Sequence, residues 1–561
     1  MPKHKVKHQE KHSKKSKPSR KHLTSHRLTR HLTRHSHKTS SHHLPRTQAS
    51  HKPISFLSKS IFSVGKFNLT VEYFILILIL IFAFYLRIMF LGESAFWVDE
   101  SISAIASKNI LEKGVPVFDS GFFYGRALVY HYSEALSFIA FGLNDFAARF
   151  PSVIFGLLTV LLAFFVGRAY SKKAGLAAAL FTATFFLEVF FSRQGRFYQL
   201  FQLAFFASLF FLYKSKNNSK WIYPALFTFA LAVDTNPLGV VLAPFFILEY
   251  LFLRRGAKKA RLGKNKSNLN EKLLFLIIPI VILVVKGIEL WFAYLSALTA
   301  RAAKAAPLNY FAGLAQEFSS KAFFTMPFML IFCAVGVFWA YFKNKQLTLL
   351  LIVPSLLALV WLYFSSDYAL RYFYFFIFPI LLFAGALFAF VAENRKQISP
   401  VLIVLAVLVV GCSNVFFPSS FGFVLAPPQE NLKDISAPEI SFAGIPVEVY
   451  EDIMYSGAEI VSLYSPHVEW YLKKPDSVLP FSMNGTYAGE VSIKVNNELV
   501  DIYSGAPVIL DLESKTGRFF FIEEYFASSK LAFNDRVALD SIKKKCAFRY
   551  ANDSIAIFEC N

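Results

Sequence analysis

Eleven stretches of this chain are apolar over about the 20 residues that a helix needs to cross a bilayer. They fall near residues 72–92, 150–168, 174–192, 197–213, 221–235, 237–253, 273–295, 322–342, 347–365, 371–392 and 398–417. The fifth and sixth form a tight pair broken at Asp234-Thr235-Asn236-Pro237. Of the 561 residues, 55% are hydrophobic, 65 are Phe and only 17% are charged. That is more apolar surface than a soluble domain can bury, so the class is a polytopic α-helical membrane protein.

The formal charge of +22 is concentrated at one end: residues 1–52 hold 15 Lys or Arg, one acid (Glu10) and 11 of the 13 histidines. With almost no apolar content, residues 1–60 are expected to be a disordered basic arm on the cytoplasmic side, against anionic lipid rather than nucleic acid. The arm is too long and polar for a cleavable signal peptide, so the first apolar run is expected to remain a span. With the arm inside, the basic loops GRAYSKKAG, YKSKNNSK, RRGAKKARLGKNKSNLNEK, KNKQ and NRKQ all fall inside, as lysine and arginine bias requires. Residues 93–149 then fall outside, and an odd number of spans puts the C-terminal region outside as well. The expected division is the arm 1–60, a transmembrane domain 61–420 with the outer loop 93–149, and an outer α/β domain 421–561. Strand-like EIVSLY and GRFFFIEEYF, helix-like HVEWYLKK and NDRVALDSIKKK, and the hairpin CAFRYANDSIAIFEC compose that last domain. Cys333 and Cys412 read as packing residues. Cys546 and Cys560 flank the hairpin and are the disulfide candidate if the domain faces an oxidising compartment.

On this topology charged and hydrogen-bonding residues gather at the outer ends of different spans: Asp99 and Glu100 after the first, His131 and Arg149 in the first loop, Arg193 and Arg196 between the third and fourth. Asp234 and Asn236 join the fifth and sixth, and Asp367, Arg371 and Tyr372 precede the tenth. Ionisable groups at one membrane depth line polar cavities, and acids mixed with arginines fit an anionic ligand at the outer leaflet. Each residue alone has a simpler account. Asp99 fits a helix cap with Glu100 in the first turn; Arg193, Arg196 and Arg149 fit interfacial anchors; Tyr198 and Tyr372 fit the aromatic belt. Glu188, Lys286 and Glu289 lie inside apolar runs, and an ion pair such as Lys286 with Glu188 would explain them.

The order of these features resembles one family. The acidic pair after the first span is followed by FYGRALVYHYSEALSFIAFGLNDFAARFPSVIFGLLTVLLAFFVGRAY, then SRQGRFYQLFQLAFFASLFFLY, then RYFYFFIFPILLFAG. Together they resemble the GT-C glycosyltransferases, in particular the dolichyl-phosphate-mannose–protein mannosyltransferase and aminoarabinose-transferase-like group, over residues 70–420. The resemblance implies a GT-C architecture of about 11 transmembrane helices with a small C-terminal α/β domain. It implies inverting transfer of a hexose-type sugar from a polyprenyl-phosphate carrier to a protein, lipid or glycan hydroxyl at the outer face. In that reading Asp99 is the base, with Glu100 beside it in the catalytic pair to orient the loop or bind a sugar hydroxyl. Arg193, Arg196 and Arg371 hold the donor phosphate, while His131, Tyr198, Asp234, Asn236 and Tyr372 bind substrate.

Departures from the family are specific. Arg126-Ala127-Leu128-Val129-Tyr130 replaces a Pro-Pro-Leu-Tyr stretch, and Asp234 and Asn236 stand where a histidine is common. The sequence assigns no cofactor. A divalent cation is left open, although the missing Asp-x-Asp and Trp-Trp-Asp motifs argue against a metal-dependent oligosaccharyltransferase type. The competing class is a transporter or flippase for a lipid-linked substrate, which would place its charges near the midplane and repeat its halves. A scaffold whose outer domain binds a partner is a third, and it leaves the outer cluster unexplained.

Overall fold

A computed structural model describes residues 56–64, 67–249, 277, 280–281, 284, 326–365, 370–394, 441–479, 492–509, 515–529, 531 and 533–561. The basic arm through residue 55, most of the expected span at 273–295, all of that at 398–417, and Lys286, Glu289, Asp367 and Cys412 lie outside them. Ser55–Asn561 form one compact unit.

The unit opens with a hairpin, β1 (Ser60–Val64) on β2 (Phe67–Thr70), absent from the sequence reading, and enters α1 (Val71–Ile88). Every position of α1 from Tyr73 to Leu86 is uncharged. Leu76, Ile79, Ala83 and Leu86 face the bundle, while Phe74, Ile77, Leu78 and Ile81 stay exposed, an apolar surface that lipid covers. The first loop is ordered as α2 (Val98–Lys113) and α3 (Leu128–Phe141). The bundle continues through α4 (Asp145–Arg168), α5 (Lys172–Thr184), α6 (Phe186–Phe191), α7 (Tyr198–Ser215) and α8 (Ile222–Thr235). Later come α9 (Met326–Lys343), α10 (Lys345–Ser365) and α11 (Ile377–Asn394). Four described helical stretches are long and apolar enough to cross a membrane: Val71–Ile88, Asp145–Arg168, Lys345–Tyr363 and Arg371–Asn394. Glycines set the closest approaches between helices. A Cβ at Gly167 would lie 2.7 Å from the Ala174 carbonyl, and one at Gly385 would lie 2.7 Å from the Ala178 nitrogen.

One expected span, 174–192, is two helices. The chain breaks at Phe185, whose backbone is extended (φ −66°, ψ 131°). A break leaves carbonyls unpaired, and an arginine buried inside α1 answers them: Arg87 donates to Ala183 O at 2.8 Å and Thr182 O at 3.1 Å.

The C-terminal region builds a five-stranded mixed sheet in the order β4-β3-β7-β9-β8, from β3 (Glu459–Ser462), β4 (Ser477–Val478), β7 (Phe519–Glu524), β8 (Ala547–Ala551) and β9 (Ile555–Cys560). β3 pairs parallel with β4 and β7, and β9 pairs antiparallel with β7 and β8. All six residues of β7 are buried, which explains its Phe-Phe-Phe-Ile run in a central strand. A side hairpin, β5 (Ser492–Val495) and β6 (Glu498–Asp501), turns on Asn496 and Asn497, both at positive φ, as two-residue hairpins require. Helices α12 (Val447–Tyr455), α13 (Ser465–Tyr471) and α14 (Phe533–Lys543) complete the domain. Cys546 and Cys560 are joined in a disulfide across the last hairpin.

Candidate active site

Asp99 and Glu100 occupy the first turn of α2, and the helix cap falls on Trp97 rather than on Asp99. The two carboxylates go opposite ways. Glu100 is 2% exposed, and both its oxygens are engaged. Oε2 accepts from the Trp97 N–H at 2.9 Å and from Arg149 Nη2 at 2.9 Å, while Oε1 accepts from Arg149 Nε at 3.0 Å and the Gly195 N–H at 2.5 Å. Arg149 completes its fork on the carbonyls of Leu91, Ser94 and Ala95. Arg149 is therefore the buried partner that ties α2, α4 and the turn before α7 into one frame, not an interfacial anchor. Both Glu100 oxygens are thus taken up by this frame, in keeping with a residue that orients the loop.

Asp99 faces the other side with 28% of its side chain exposed, and its Oδ2 lies 3.8 Å from Arg196 Nη2. The Tyr198 hydroxyl donates to the same oxygen at 3.4 Å. Arg196 is itself fixed, donating from Nη1 to Ser103 Oγ at 2.6 Å, one turn along α2. Two guanidiniums, Arg196 and Arg126, each lie 4.6 Å from the Phe197 ring centroid, in cation–π contact. Arg371 lies 5.7 Å from the centroid of Trp97 and 5.1 Å from that of Tyr372, and Trp97 stacks on Tyr198. The charges of Asp99, Arg196, Arg371 and Arg126 all act on the Tyr198 hydroxyl.

The C-terminal domain closes on the same segment. His467 Nε2 donates to the Phe96 carbonyl at 3.2 Å, which fixes the tautomer and leaves Nδ1 facing the Ser101 hydroxyl at 3.2 Å. The Tyr464 hydroxyl donates to Val98 O at 3.4 Å, and the Phe96 N–H donates to the Tyr471 hydroxyl at 2.6 Å. Burial pulls the His467 pKa down to about 4, so the ring is neutral.

The structure thus brings together Asp99, Arg196, Tyr198, Arg371 and Tyr372, and it separates the other candidates from them. Arg193 turns to the end of α1, donating to the carbonyls of Leu86 at 3.2 Å and Met89 at 2.5 Å, where helix ends need donors. Asp234 caps α3, its carboxylate 3.3 Å from the N–H groups of Leu128 and Val129. Asn236 caps the following turn by accepting from the Leu238 N–H at 3.0 Å. His131 is fully buried with Nδ1 3.3 Å from Ser107 Oγ. Burial, with Arg196 and Arg126 nearby, pulls its pKa down to about 3. In each case the backbone or a buried neighbour claims the group that was expected to meet substrate. Arg126 is the residue sequence reasoning passed over. It sits beside Ala127, whose positive φ of 55° begins α3, and such a backbone kink has no sequence signal when the residue is alanine. Among the described residues no group of three or more His, Cys, Asp or Glu is placed to hold a metal ion.

Residues 125–285 match the family model for dolichyl-phosphate-mannose-protein mannosyltransferase. A protein of Aquifex aeolicus (strain VF5), described as uncharacterized, is 29% identical over 191 residues, 32% of this chain and 37% of its own length. The chain therefore matches little more than a third of that relative. Two solved structures of ArnT from Cupriavidus metallidurans superpose at 12% identity over 87% of this chain and 97% of theirs. One is the apo state, with a TM-score of 0.54, and the other is bound to undecaprenyl phosphate, with a TM-score of 0.53. The chain thus shares its fold with ArnT of Cupriavidus metallidurans, and residues 125–285 carry the sequence signature of the dolichyl-phosphate-mannose-protein mannosyltransferases.

Proposed function

We propose that the chain is a membrane glycosyltransferase that moves a hexose-type sugar from a polyprenyl-phosphate carrier to an acceptor hydroxyl on the outer face of the membrane, with inversion. The observation that carries this reading is Asp99: a part-exposed carboxylate fixed 3.8 Å from Arg196, inside a set of arginines and aromatic rings. The shared fold with ArnT, one of whose structures holds undecaprenyl phosphate, supports a lipid phosphate as the anion.

In this mechanism the acceptor hydroxyl gives its proton to Asp99 as its oxygen attacks the anomeric carbon. The bond from that carbon to the phosphate oxygen breaks on the opposite side of the sugar, through an oxocarbenium-like state that the carboxylate stabilises. The electron pair leaves on the carrier phosphate, a good leaving group that needs fixed cations rather than an acid. Arg196 and Arg371 supply them, guanidinium being suited to phosphate oxygens. Arg126, exposed beside them, adds a third positive charge. With Glu100 committed to Arg149, no second free carboxylate stands beside Asp99 among the described residues to share a divalent cation, and the arginines carry the charge. The lysine and arginine bias of the loops sets the sidedness.

The test supplies radiolabelled polyprenyl-phosphate hexose to membranes containing wild type, Asp99→Asn or Arg196→Gln. Transfer that falls about 100-fold or more in Asp99→Asn supports the reading, and unaltered transfer defeats the assignment of the base. Wild-type protein that moves a lipid-linked substrate across the bilayer without consuming the sugar belongs instead to the transporter class.

A further inference from the structure

A second cleft, of about 730 Å³, lies between the first loop and the C-terminal domain. It is on the other side of α2 from Asp99. Its lining includes Ile105 and Lys108, and at about 100° per residue Lys108 points about 180° away from Asp99. Phe141, Leu143, Phe146 and Trp470 supply apolar walls. Two of the polar groups are already satisfied. The Asp145 carboxylate accepts from Trp470 Nε1 at 2.9 Å and the Tyr471 hydroxyl at 2.8 Å, and the Asn144 amide caps α4 while donating to Phe141 O.

Glu469 and Lys108 are different. Among the described residues Glu469 Oε2 is buried without a hydrogen-bond partner. Among the described residues Lys108 makes a loose 3.9 Å pair with Glu112; burial pushes the Glu469 carboxyl up to about 7, against the opposing charge of Lys108. A buried acceptor left unpaired is costly, and here it belongs to a wall of an open cleft whose size suits a small molecule.

The charges select the ligand. Glu469 and Asp145 repel an anion, and Lys108 repels a cation. A neutral hydroxyl group both donates to the free Glu469 oxygen and accepts from the Lys108 ammonium. The aromatic walls suit the C–H faces of a ring. We infer that this cleft binds a neutral saccharide unit through Glu469 and Lys108, at a site separate from Asp99. The inference does not rest on the transfer reaction.

Full-length protein in detergent is titrated with mannobiose, maltose and chitobiose, followed by saturation-transfer NMR, with ethylammonium and inorganic phosphate as competitors. At least one disaccharide should bind, and Glu469→Ala should weaken it about tenfold, as loss of one charged hydrogen bond does. Lys108→Met, at a partly exposed position that leaves the domain contact intact, should weaken it in the same sense. Asp99→Asn should leave it unchanged, which separates this site from the transfer site. The inference is overturned if no disaccharide binds, if ethylammonium or phosphate displaces it, or if binding disappears in Asp99→Asn while surviving Glu469→Ala and Lys108→Met.

Discussion

Among the described residues, the polar clusters around Glu188 and Asp99 have opposite hydrogen-bond accounts. Glu188 is fully buried in α6. Gln202 Nε2 donates to one of its oxygens at 2.8 Å and the Tyr374 hydroxyl to the other at 2.7 Å, while Gln199 reaches on to Thr159 at 2.8 Å. The Arg87 charge stands nearby. Asp99 has 28% of its side chain exposed, one long hydrogen bond and one 3.8 Å ionic contact. The first carboxylate is closed and the second is open. A polar network whose members satisfy one another fixes helices in place; one held by a frame but left unfilled is available to a ligand. Of the residues inside apolar runs, Glu188 belongs to the closed cluster, while Lys286 and Glu289 lie outside the described residues.

The comparison breaks most sharply on activity. Asp99→Asn keeps the shape and removes the base, so the rate of sugar transfer should fall about 10²–10⁴-fold with little change in thermal unfolding. If Asp99→Asn unfolds early and keeps its rate per folded molecule, Asp99 belongs with Glu188 after all.

Glu100, one residue along, should behave as the reverse. Glu100→Gln leaves Arg149 as a buried charge without its carboxylate, at a cost of about 3–5 kcal/mol. The loss should appear as a lower unfolding temperature in detergent, and Glu100→Gln with Arg149→Met should recover part of it, because the second change removes the stranded charge. Independent, additive losses would show that the pair is not the tie between α2 and α4.

Glu188→Gln should cost less, about 1–3 kcal/mol, since an amide oxygen still accepts one of the two hydrogen bonds. Transfer by the folded fraction should stay within about threefold of wild type, less than half a power of ten in ΔΔG‡ terms. A loss as large as that of Asp99→Asn would make the closed cluster part of the chemistry.

How much of this was legible in the sequence depends on where each bond partner lies. The four spans seen among the described residues were readable because a bilayer demands length and apolarity, properties local to one segment, and the strands and helices of the C-terminal domain were readable by alternation and periodicity for the same reason. The break at Phe185 was not, because its carbonyls are answered by Arg87, about a hundred residues away in the chain. The site divides in the same way. Asp99 stood out by type and position, but Arg193 and Arg196, three residues apart in SRQGR, look alike as letters and differ only in which way the turn aims them. One caps α1 and the other faces Asp99. Asp234 and Asn236 look like ligands in sequence and prove to be caps, as Asx side chains next to a proline often are. Arg149 seemed an anchor because its partner Glu100 lies 49 residues earlier.

The smallest expected effect concerns how the C-terminal domain holds Asp99 in place. His467 is fully buried, with the charges of Glu100 and Asp99 in reach and hydrogen bonds to Phe96 and Ser101. Its pKa is about 4 in the folded protein, against an ordinary value near 6.5. Between those two values the unfolded chain binds a proton that the folded one refuses, so stability rises with pH across that window. The contact is whole above about pH 6.5 and is lost progressively as pH falls toward about 4. Glu469 and Glu524 in the same domain, raised by burial to about 7 and about 8, act in the opposite sense, favouring the folded state as pH falls. The measurement is therefore a difference: unfolding of wild type and His467→Gln compared at about pH 7.5 and about pH 5. Glutamine keeps one donor and one acceptor but does not titrate in this range, so wild type should lose about 1–3 kcal/mol more than His467→Gln on acidification. Hydrogen exchange over α13 should rise with it in wild type alone. Equal acid sensitivity in the two proteins would place the titrating group elsewhere and leave His467 as packing only.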